Sequence, residues 1–97
     1  MKHIKHLNDF FDKVLEDNIL NPSHISLYMA LFQCWSYNNF RNPVTITRNE
    51  VMQFSKISSK ATYHKCLNNL ATLGYINYNP SYNPFKGSQV FIIEFKK

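Results

Sequence analysis

Glycine occurs only twice in the 97 residues, at Gly74 and Gly87. A loop that wraps phosphates with its backbone needs several glycines at close spacing, so nucleotide loops of that kind are excluded. Cysteine also occurs twice, as Cys34 and Cys66, and neither has a CxxC partner. Both lie in helix-like apolar patterns and read as reduced core thiols, not as a disulfide framework. A metal site combining them with His3, His6, His24 and His64 is disfavoured by geometry. His3 and His6 have HxxH spacing at a terminus expected to fray, and His64 and Cys66, two apart, face different ways on a helix. No apolar run reaches the roughly 18 residues of a membrane span. The opening MKHIKHLNDF is not followed by the apolar stretch and cleavage site of a secretory signal. The expectation is a cytoplasmic protein that uses no metal, no cofactor, no membrane and no small-molecule ligand.

Carboxylates are scarce and one-sided. Residues 1–40 hold three basic side chains (Lys2, Lys5, Lys13) against four acidic ones (Asp9, Asp12, Glu16, Asp17), a net of −1. Residues 41–97 hold eight basic side chains against Glu50 and Glu94, a net of +6, and no carboxylate stands between Val51 and Ile93. The basic excess therefore sits entirely in the second part of the chain, which favours a polyanionic partner there over lysines scattered for solubility. Enzyme readings lack parts. The four N-terminal acids are spaced as ordinary charges on the solvent face of one helix, and the two cysteines fall on apolar faces where a low-pKa nucleophile is not expected.

What is present is periodic. Leu7, Phe10, Phe11, Val14 and Leu15 recur at helical spacing with Asp9, Asp12, Lys13 and Glu16 between them, which predicts an amphipathic helix within residues 1–20. Its stripe either completes the core, the favoured reading in so short a chain, or forms a homodimer with a second copy. A second helix starts with Asn21 as N-cap and Pro22 at its first position, and its apolar residues on two sides make it central. NPVTIT suits a short strand. Thr47 and Glu50 predict a reciprocal capping box ahead of a short helix carrying Val51, Met52 and Phe54. A further helix over 58–73 starts from Ser58 or Ser59 and ends at Gly74, placed where positive φ is required. Residues 75–95 predict two strands joined by PSYNPFKG. The order is helix, helix, strand, helix, helix, strand, loop, strand, with helical core 21–74, no internal repeat and no linker. The fold class is α+β, mostly helical, in a single domain over 1–97.

With SSKATYHKCLNNLATLGYI in that order, residues 22 to 95 resemble the winged helix-turn-helix DNA-binding family. The Ser/Thr-rich start, the basic residue near the second turn and the L…G-Y-I close look like that family's recognition helix. The chain also resembles small winged-helix proteins of bacterial mobile elements. The resemblance implies sequence-specific binding of double-stranded DNA by a small regulator of transcription. The alternatives are an accessory factor in mobile-element excision or replication initiation, and a winged-helix module that contacts an acidic protein.

Read face by face, Tyr63, Cys66, Leu67, Leu70 and Leu73 form one arc of the 58–73 helix, expected to bury against Val51, Phe54 and the central helix. Opposite lie Ala61, Thr62, His64, Lys65, Asn68, Asn69 and Thr72. The N-terminal half of that exposed face is where such a helix meets base edges, so Ser58, Ser59, Thr62, His64, Lys65 and Asn69 are candidate DNA contacts, with Lys60 on the flank toward phosphate. Arg48 and Lys56, beside the two capped helix starts, are candidate phosphate contacts. The 75–95 hairpin is the candidate wing, contributing Tyr82, Asn83 and Lys86, while Phe85 is expected to cover the sheet. If the protein is dimeric, two recognition helices one turn of DNA apart imply a near-palindromic target.

Overall fold

The computed structural model describes residues 2–83 and 86–95. Its centre is α2 (Pro22–Tyr37), which begins where Asn21 stays extended and its side chain accepts from the backbone N–H groups of Ser23 and His24. Proline at the first position of α2 loses nothing, because that N–H has no partner inside a helix. The His24 imidazole closes the cap by accepting from the Asn21 N–H at 3.1 Å. Leu27, Tyr28, Leu31 and Trp35 of α2 are all buried, as its apolar pattern predicts.

The preceding helix α1 (Lys2–Glu16) begins earlier than its apolar stripe suggested. Phe10 sets its rotation: the ring is fully buried, lies face to face on Tyr28 with centroids 3.9 Å apart, and meets Tyr75 edge-on. That rotation divides the expected stripe. Leu7 and Val14 are half-buried, whereas Phe11 keeps 43% of its surface exposed and Leu15 84%. The core side of α1 takes His6 and Asp9 instead. Their polarity is met locally: His6 Nε2 lies 2.6 Å from the Tyr28 hydroxyl, and Lys5 Nζ is 2.8 Å from Asp9 Oδ2.

This corrects two expectations. Asp9 is buried, and Asp17, just past the helix, accepts from the Tyr75 hydroxyl at 3.2 Å, so neither is an ordinary solvent charge. The HxxH pair does not sit on a fraying end, since His3 is helical and stacked 3.4 Å from Phe40 while His6 packs among Tyr28, Trp35 and Phe95.

β1 (Val44–Ile46) follows a cis Asn42–Pro43 bond, and then come α3 (Arg48–Ser55) and α4 (Lys60–Thr72), β2 (Ile76–Asn79) and β3 (Ser88–Ile92). The three strands form one antiparallel sheet in the order β1-β3-β2. Val90 of the central strand pairs with Val44 on one side and Tyr78 on the other. Val44, Ile46, Ile76, Val90 and Ile92 turn their side chains into the same core as α2 and α4. The Asn42 side chain prolongs the β1 edge: its amide donates to the Ile92 carbonyl and its oxygen accepts from the Ile92 N–H, both at 3.0 Å. A side chain there does the work of one more residue of strand.

The chain is thus α+β, with four helices and a small three-stranded antiparallel sheet among the described residues. None of these helices is long and apolar enough to cross a membrane.

Candidate functional site

α3 and α4 are two helices joined by a turn of four residues, and that turn is pinned from three directions. Thr47 Oγ1 caps α3 by accepting from the Glu50 N–H at 3.3 Å, the threonine half of the expected capping box. α3 stops at Lys56, whose φ of +62° is left-handed, a conformation that ends a helix. Ser55 is buried, its hydroxyl donates to the Met52 carbonyl, and the Ser26 hydroxyl of α2 donates to the Ser55 carbonyl. Ile57 then drops into the core. Ser59 restarts the helix, its Oγ accepting from the Thr62 N–H at 3.2 Å.

α4 is held by the predicted arc. Tyr63, Cys66, Leu67 and Leu70 are buried and Leu73 is half-buried. The helix closes with two bonds typical of a glycine stop, Tyr75 N–H to the Leu70 carbonyl and Gly74 N–H to the Ala71 carbonyl, around Gly74 at φ +87°. The opposite face is free to meet a partner. Ser58, Ser59, Lys60, Ala61, His64, Lys65, Asn68 and Thr72 are exposed, and Thr62 is half-exposed. No carboxylate lies on α4 or between it and Val51.

Asn69 departs from this face. It is half-buried, and its amide lies 3.0 Å from His24 Nε2 across the α2–α4 junction. Nδ1 of His24 accepts from the Asn21 N–H, and the Asn69 side-chain nitrogen stands at the other ring nitrogen, so the imidazole is engaged on both edges. Burial, reinforced by the positive charge of Lys65, pushes the His24 pKa down, which keeps this buried ring neutral. The signal for the junction was present as Asn-x-x-His at 21–24, a cap pattern with histidine in the place of the usual Glu or Gln.

Arg48 and Lys56 are exposed at the α3 start and at the turn. Beside them an open groove of about 870 Å³ runs between α3 and the α4 start, with Met52, Phe54 and Ile57 in its wall and Lys56 and Lys60 on its rim. Phe54 was expected beneath α4. It is instead 46% exposed and lies 6.5 Å from the Tyr37 ring, because Ile57 after the turn fills the core position.

The loop at 80–87 springs from β2 and β3. Ser81 braces it, its N–H donating to Ser88 Oγ and its own Oγ accepting from the Asn83 N–H, while the Lys86 N–H donates to the Asn83 carbonyl. Tyr82 is 95% exposed, and Asn83 and Lys86 are exposed. The expectation for Phe85 lies outside the described residues.

The buried titratable groups serve structure. Burial raises the Cys34 thiol to about 11 and pushes Cys66 up as well, so both remain protonated and unreactive near neutral pH. Burial likewise raises the Tyr63 hydroxyl to about 12. What the exposed surface offers is hydrogen-bond donors, hydroxyls that both give and accept, and fixed positive charge. Compared with protein-family models, curated proteins and solved structures, the chain matches none.

Proposed function

We propose that this chain is a winged helix-turn-helix protein that binds double-stranded DNA, with α4 in the major groove and the 80–87 loop on the backbone or in the minor groove. The observation that carries the reading is the exposed face of α4, free of carboxylates from end to end and backed by the buried Tyr63, Cys66, Leu67 and Leu70. A helix must be immobile to read base edges, and its outer face must not repel phosphate. The strand order β1-β3-β2, with α3 and α4 between β1 and β2 and a hairpin directly behind α4, supports the winged form.

In this reading Lys65, Thr62 and Ser59 face the groove floor. Lys65 presents an ammonium suited to guanine acceptors, and the two hydroxyls adapt to several bases. Lys60, Arg48 and Lys56 meet phosphate, helped by the unpaired N–H groups at the two helix starts. Tyr82, Asn83 and Lys86 meet the backbone from the loop. His64, exposed on α4, lies within the same footprint, whereas Asn69 orients the helix through His24 rather than touching bases. The role is that of a small regulator of transcription or an accessory factor of a mobile element. Selection of bound fragments from the source genome separates these two.

The test is a labelled duplex titrated with protein at rising salt. Binding is expected to fall steeply, with a log-log slope matching about 4 to 6 released counterions per chain. Lys65→Ala is expected to weaken a selected site more than random DNA, and Lys86→Ala to weaken both alike. No binding to any duplex at low salt, or affinity indifferent to salt, refutes the proposal.

A further inference from the structure

The side of α1 that the core does not use has its own order. Ile4, Phe11 and Leu15 are exposed at 53%, 43% and 84% of their surface. With Asn8, also exposed, they occupy positions 4, 8, 11 and 15, the 4-3-4 spacing of a coiled-coil seam. His6, Phe10 and Lys13 lie behind this seam, packed on Tyr28 and Tyr75, so the seam cannot roll into its own core. Leu7 and Val14, half-buried, border it on one side. On the other side it is bordered by exposed Lys5 and Asp12, of opposite charge and seven residues apart.

We propose that α1 pairs with α1 of a second copy of this chain, antiparallel about a two-fold axis that passes between residues 8 and 11. The charge pattern selects this occupant and this direction. Antiparallel alignment sets Ile4 opposite the second copy's Leu15 and Asn8 opposite its Phe11, and the same operation brings Lys5 beside Asp12 of the other copy, twice. A parallel pair instead sets the Lys5–Asp12 flank of each helix against the Leu7–Val14 flank of the other, so neither the opposite charges nor the apolar borders meet. The apolar border also matches itself, with Leu7 against Val14.

The pairing leaves the proposed DNA-facing elements uncovered. α2 carries α1 on the side of Tyr28, Phe32 and Trp35, and holds α3 by Ser26 on the flank turned away from them. Pairing through α1 is independent of DNA binding.

Sedimentation equilibrium across a concentration series reads the mass directly. The wild type is expected to tend to twice 11.5 kDa as concentration rises, and Leu15→Glu to remain at 11.5 kDa with an unchanged helical spectrum, since Leu15 touches little within its own chain. Lys5→Asp is expected to weaken the dimer, and the double swap Lys5→Asp with Asp12→Lys to restore it. Direction is read by oxidation: a mixture of Ile4→Cys and Leu15→Cys chains should cross-link. Leu15→Cys alone should not, because its two copies are offset by about 16 Å along an antiparallel pair. A wild type that stays monomeric, a Leu15→Glu chain that still dimerises, or ready cross-linking of Leu15→Cys with itself each overturns the proposal.

Discussion

Replacing each of the two glycines by alanine tests how far the hairpin depends on close packing against β1. Both have left-handed backbone, φ +87° at Gly74 and +68° at Gly87. A side chain in that conformation costs about 1–2 kcal/mol, partly offset by the roughly 0.4–1 kcal/mol that alanine gains by restricting the unfolded chain. For Gly74 that is the whole account, because an added Cβ meets nothing within 4 Å. A net loss of about 0.5–1.5 kcal/mol is expected there. At Gly87 the same Cβ stands 2.8 Å from the Ile46 carbonyl oxygen and 3.1 Å from Thr45 Cγ2. The oxygen belongs to strand backbone and cannot swing aside, so β3 and β1 must part, adding about 1–3 kcal/mol as overpacking does.

Gly87→Ala should therefore cost about 2–4 kcal/mol, against a total stability of about 5–15 kcal/mol for a domain of this kind. Urea denaturation followed by far-UV circular dichroism measures both variants. The difference between them, at least about 1 kcal/mol, isolates the contact from the shared backbone penalty. Equal losses, or a milder effect at Gly87, would show that the β1–β3 approach is not as tight as the geometry states.

Two further outcomes follow from the α2–α4 junction and from the α4 start. His24 has its pKa lowered in the fold, by burial first and by Lys65 second, so the unfolded chain binds the proton more readily. Stability is then full above the ordinary histidine pKa of about 6.5 and falls as pH drops below it, with His6, lowered by burial too, contributing in the same direction. His24→Gln should flatten the stability-against-pH curve between neutral and mildly acidic pH even though it lowers stability at neutrality, and a curve merely displaced in parallel argues against this origin. Ser59→Ala removes the acceptor of the Thr62 N–H and should cost about 1 kcal/mol. Hydrogen exchange at the Thr62 amide should accelerate with it, and unchanged protection there would mean that the cap is replaced by another acceptor.

Much of this molecule follows from local chemistry. Asn21–Pro22, Thr47, Ser59 and Gly74 act within a few residues of themselves, and a helix start or stop is decided at that range. Periodicity likewise determined the buried arc of α4, since a helix with Tyr63, Cys66, Leu67 and Leu70 on one side has one way to face a core. The carboxylate-free span from Val51 to Ile93 is a property of composition and needs no structure. What only the tertiary structure decided is how elements rotate and meet. α1 had more apolar surface than one face of a core can take, and Phe10 stacking on Tyr28 settled which part was left outside. Asp9, His6 and His24 became interior groups because their partners, Lys5, Tyr28 and the Asn21–Asn69 pair, were at hand after folding. Phe54 lost its expected place to Ile57 because the left-handed turn at Lys56 swings the following residue inward. Hydrophobicity states which side chains prefer burial, but the area available is limited, and packing between distant segments chooses among them.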